Sequence, residues 1–125
     1  MTPAARVAAV IEIISEMQAA SDDKILRYRS AGQYLRSGLQ RRRYAGSGDR
    51  AAVGDLFWKI QRSMARIDWH LASLNEQPNP RNLVLAALVL IEGKIAVISQ
   101  LFSADIAHAP APLSGSETSL IAALS

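Results

Sequence analysis

The chain has 125 residues, half of them hydrophobic and a fifth charged, which suits one folded domain and excludes a disordered segment. It contains no cysteine, so disulfides, thiolate metal sites and a cysteine nucleophile are excluded, and a reducing compartment is the simpler setting. Net charge is only +3, yet residues 24 to 66 carry +9 by themselves, eleven cations standing against Asp49 and Asp55, while the flanking segments each sum to −3. Such a block reads as a footprint for a polyanion, against the plainer alternative of a solvated helical surface.

Helical periodicity runs through the chain, and no stretch alternates as a strand would. Thr2 as N-cap and Pro3 at the first helical position open a first helix, with Val7, Val10, Ile11, Ile14 and Met17 on one stripe. The opening residues have no basic region leading into an unbroken apolar core, so no signal peptide is expected. Ser21, Asp22 and Asp23 form a helix-start signal, Ile25 to Tyr28 add a turn, and Gly32 marks an interruption. A second helix over about 32 to 44 buries Tyr34, Leu35 and Leu39. Ser47 reads as the N-cap of a long central helix, in which Val53, Leu56, Phe57, Ile60, Met64, Ile67 and Leu71 recur for about five turns.

Pro78 and Pro80 end that helix. A nearly all-apolar helix over about 81 to 92 follows, and Gly93 separates it from a short one, Ile95 to Phe102. Glu92, Gly93 and Lys94 interrupt the apolar run from 83 to 102, which argues for two core helices around a turn and not a membrane span. Pro110 and Pro112 make the next stretch extended, and Ser114 or Ser116 caps a last helix with no stop signal. The expected division is therefore a domain over 1–108, then a linker and the start of a following segment over 109–125.

The candidate site is a set of cations. Arg41, Arg42 and Arg43 end one helix, and Arg50, Lys59, Arg62 and Arg66 follow the Gly46-Ser47-Gly48 turn, the last three sharing a helix face. Guanidinium forks suit phosphate oxygens, so these seven are the expected phosphate contacts. A helix dipole explains one or two arginines at a C-terminus more readily than three in a row. The turn itself, AGSGDR, lacks the spacing of a nucleotide loop and joins helix to helix. Tyr44 reads as half-buried, Trp58 and Trp69 as packing residues, His70 as a surface residue, and Glu12 and Glu16 as a solvated face. His70 and His108 lie too far apart in sequence to form a metal cluster by themselves, and no catalytic constellation is present.

RRRYAGSGDR (41–50), IQRSMARIDWHL (60–71), PRNLVLAALVLIEG (80–93) and APAPLS (109–114) resemble, in order and spacing, the N-terminal NusB-like domain of bacterial RsmB/NOP-family (Sun/Fmu) rRNA cytosine-5 methyltransferases. The resemblance covers roughly two thirds of the chain. It implies an all-α NusB-like bundle of about five to six helices, acting in the cytoplasm to position ribosomal RNA for a catalytic methyltransferase domain further along the chain. In that family S-adenosylmethionine is the methyl donor and a cysteine attacks the cytosine ring. Neither a cofactor motif nor a cysteine lies within these residues, so they would not run that reaction alone, and no membrane or metal partner is implied. A stand-alone NusB-type transcription antitermination factor is the alternative, and a purely structural domain packed on its own catalytic domain is a third.

Overall fold

Capping side chains set where most of the helices begin. The hydroxyl of Thr2 accepts the Ala5 N–H at 3.0 Å, and Pro3 opens α1, Pro3–Ala20. The Asp23 carboxylate accepts from Ile25 and Leu26 and starts α2, Lys24–Arg41. Next come α3, Ser47–Arg62, and α4, Met64–Ser73. Asn79 accepts the Asn82 N–H at 2.8 Å to begin α5, Pro80–Leu90. A 3₁₀ turn, Ile95–Val97, runs into the single-turn α6, Ile98–Leu101. Ser114 and Glu117 form a reciprocal capping box for α7, Gly115–Leu124. The computed structural model describes all of residues 1–125, and the fold is all-α, with seven helices and no strand.

The core is built around α1 and α5. Every residue of α5 from Asn82 to Val89 is buried, which a helix apolar on all sides requires. α1 packs on α2, α3, α5 and α6, while α4 and α7 both pack on α5. Val10, Ile13, Val53, Phe57, Ile60, Ile67 and Leu85 have no exposed surface at all. Gly93 closes the far end of α5: its φ of +63° turns the chain so that the Lys94 N–H reaches the Leu88 carbonyl at 2.9 Å. No helix is long and apolar enough to cross a membrane.

Several expectations are corrected. Gly32 does not interrupt a helix, and α2 passes straight through it with the Trp58 ring 3.8 Å from where a β-carbon would stand. The long central helix is two, because it bends at Ser63, whose N–H is shared between the Lys59 and Ile60 carbonyls, both at 3.1 Å. That bend turns α3 toward α1 and α4 toward α5, and it raises the helix count above six. Gly46, not Ser47, stands at the N-cap of α3, and the Asp49 carboxylate three residues on accepts its N–H at 3.0 Å. Pro80 begins a helix instead of preceding one, since its missing N–H costs nothing there. Trp69 is 66% exposed, whereas Trp58 is half-buried against the core as expected. Residues 109–113 belong to no helix, and α7 then buries Leu120 and Leu124 in the same core as α1 and α5.

Candidate nucleic-acid interface

Three of the seven expected phosphate contacts are held by acids of the chain. Arg42 is only 8% exposed. It donates through Nη1 to the Gly38 carbonyl at 2.6 Å and through Nη2 to Glu12 at 2.9 Å. Arg41 is ion-paired with Glu16 one turn further along α1. Glu12 and Glu16, expected as a merely solvated face, are thus the clasps that hold the end of α2 on α1. Lys59 sits between Asp55 at 3.0 Å and Glu92 at 3.4 Å. Those two carboxylates, the Asp55 hydrogen bond foremost, hold its ammonium above the ordinary lysine range.

The remaining four are freer. Arg66 donates to the Leu90 carbonyl at 3.4 Å, at the C-terminal end of α5 where the helix dipole is negative. Arg50 is half-buried and donates to the Ala45 carbonyl at 3.3 Å. Arg43 and Arg62 are exposed and form no ion pair. The cations on either side of the Gly46–Gly48 turn have separate partners, Arg41 and Arg42 on α1, Lys59 and Arg66 at the end of α5.

An open cationic row runs along α2, in which Arg29 and Arg36 join Arg43 of the expected set. Arg29, Gln33, Arg36 and Gln40 recur at four- and three-residue steps along α2, Arg43 follows just past its end, and all five are exposed. Arg29, Arg36 and Arg43 form no ion pair, and no Asp or Glu occurs from Lys24 to Gly48. The helical rise puts Arg29 and Gln40 about 16 Å apart along the axis, and Arg43 lies beyond the helix end. The signal was present as a seven-residue spacing, 29, 36 and 43, in an acid-free run. Reading Gly32 as a break divided that run and hid it.

Next to Arg43, Tyr44 is exposed and stacks on His108, with ring centroids 5.0 Å apart and planes 22° from parallel. Asp49 gathers the opposite kind of centre. The Gly46 N–H, Arg6 Nε at 2.9 Å and the N-terminal ammonium at 3.1 Å all point at its carboxylate and hold its pKa at about 2. Arg81 holds Glu117 at 2.7 and 2.9 Å, donates to the Ala111 carbonyl at 3.0 Å and lies 5.0 Å above the Phe102 ring. That guanidinium lowers the Glu117 pKa. No group of three or more His, Asp or Glu side chains is placed to hold a metal ion. Compared with protein-family models, with curated proteins and with solved structures, the chain shows no match.

Proposed function

We propose that this chain is an RNA-binding accessory domain that grips phosphates along the open face of α2 and serves an S-adenosylmethionine-dependent rRNA (cytosine-5) methyltransferase, whose chemistry belongs to a separate catalytic domain. The observation that carries the RNA reading is the Arg29–Gln33–Arg36–Gln40–Arg43 row, exposed throughout, with none of its three arginines in an ion pair. Arginine forks pair bidentately with phosphate oxygens, and the intervening amides can donate to phosphate or sugar. Arg62 and Arg66 would add peripheral contacts, whereas Arg41, Arg42 and Lys59 are engaged by Glu16, Glu12, Asp55 and Glu92. The link to cytosine methylation rests on the likeness of the segments at 41–50, 60–71, 80–93 and 109–114 to that family.

Salt titration tests the phosphate contacts. Affinity for a labelled single-stranded RNA should fall with a log–log slope to which each phosphate contact contributes about −0.7. Replacing Arg29, Arg36 and Arg43 together by Gln should remove about two units of that slope, and an unchanged slope would refute the assignment. Mapping 5-methylcytosine in ribosomal RNA from cells lacking the protein tests the second half. Loss of one modified position is expected, and a complete set of marks overturns it.

A further inference from the structure

Beside the first turns of α2 lies a cavity of about 310 Å³, walled by Ile25, Tyr28, Met64 and Pro78 and also lined by Gln61 and Asp68. Its size is at the small end of ligand sites. Gln61 is only 7% exposed, and its Nε2 is shut off from solvent without any partner. Asp68 Oδ2 accepts from the Lys24 ammonium at 3.1 Å, while its Oδ1 is buried and equally without a partner. A buried donor and a buried acceptor left unmade are costly, and folded proteins rarely keep them without reason. Both belong to terminal groups that turn readily about their last torsion, so an occupant of the cavity can collect them.

We infer that this cavity takes one unstacked nucleobase, with the Gln61 amide and the Asp68 carboxylate reading its Watson–Crick edge. That edge offers an acceptor beside a donor, the partners that Gln61 Nε2 and Asp68 Oδ1 lack. The apolar walls suit the faces of a flat ring. Tyr28, 56% exposed and lining the cavity, offers an aromatic surface for stacking, the usual means by which single-stranded RNA is held. Charge favours the same occupant. Arg29, the first cation of the open α2 row, stands about 100° around the helix from Tyr28, so a strand with one base in the cavity would wrap over α2 to lay its next phosphates on the row. The inference rests on the RNA reading above and adds to it a demand for an unpaired base.

The test compares an eight-nucleotide single-stranded RNA with an abasic ribose-phosphate chain of equal length and charge, both by fluorescence anisotropy. The RNA should bind about tenfold more tightly. Q61M should erase most of that preference while raising the unfolding temperature, because methionine fills the same space without an unsatisfied donor. Y28A, a change at an exposed position, should weaken the RNA alone. Equal binding of the two chains, each with a steep salt dependence, overturns the base cavity and leaves the phosphate row standing. No binding of either at low salt overturns both. An unchanged RNA preference in Q61M overturns the role of Gln61 and with it the inference.

Discussion

At Gly38, α2 packs directly on Ile13 of α1. A β-carbon added there would stand 2.5 Å from Ile13 Cγ1 and 2.8 Å from its Cδ1, and Ile13 is fully buried. Neither side can move without disturbing a packed core. G38A is therefore expected to destabilise the fold by roughly 1–3 kcal/mol, as overpacking does, measurable as a lower urea midpoint with an unchanged slope. Asp49 makes a different demand. Its folded pKa of about 2 lies below the ordinary 3.8, so its contribution is present above about pH 4 and disappears as pH falls through 2. D49N should be less stable than the parent at neutral pH and should flatten the stability profile between pH 4 and 2. Identical profiles for the two proteins would show that the Gly46, Arg6 and N-terminal contacts carry no net stabilisation.

At the scale of elements, the helix boundaries that depend on local chemistry could be read directly: Thr2 with Pro3, the Asp22–Asp23 start signal and Ser114 each stand at or beside a helix start. What could not be read depends on residues distant in sequence. Gly32 costs about 1 kcal/mol in a helix, and that local penalty is outweighed where Trp58 packs against it. The bend at Ser63 leaves the apolar steps from Val53 to Leu71 unbroken, so periodicity carries no trace of it. The docking of α7 is equally remote, because Arg81 on α5 meets Glu117 across 36 residues of chain. Both side chains are largely buried, and the pair also ties down the Ala111 carbonyl. R81M should cost about 2 kcal/mol, the range for hydrogen bonds between charged partners. It should also raise amide exchange in 111–124 before any other segment, and uniform exchange across the molecule would count against a local clasp.

Over the whole molecule, the positive charge between residues 24 and 66 divides into two functions. One part is spent internally, where Arg41 and Arg42 are drawn onto Glu16 and Glu12 and fasten α2 to α1. The other faces outward on α2, where Arg29 and Arg36, and Arg43 just past its end, form no ion pair. Counting charges along the sequence does not separate the two, since Glu12 lies 30 residues from the arginine it binds. Substitution separates them sharply. R42Q loses a buried guanidinium that bridges Gly38 and Glu12, and it should lower stability by roughly 1–3 kcal/mol while leaving the affinity of the folded protein for RNA nearly intact. R36Q, on the open face, should leave the unfolding midpoint within about 0.5 kcal/mol of the parent and reduce RNA affinity together with its salt slope. Measured side by side, denaturation and RNA binding should therefore rank the two variants in opposite orders. If R42Q weakens binding as much as R36Q at equal folded fraction, the clasp also touches RNA and the division between the two arginine sets fails.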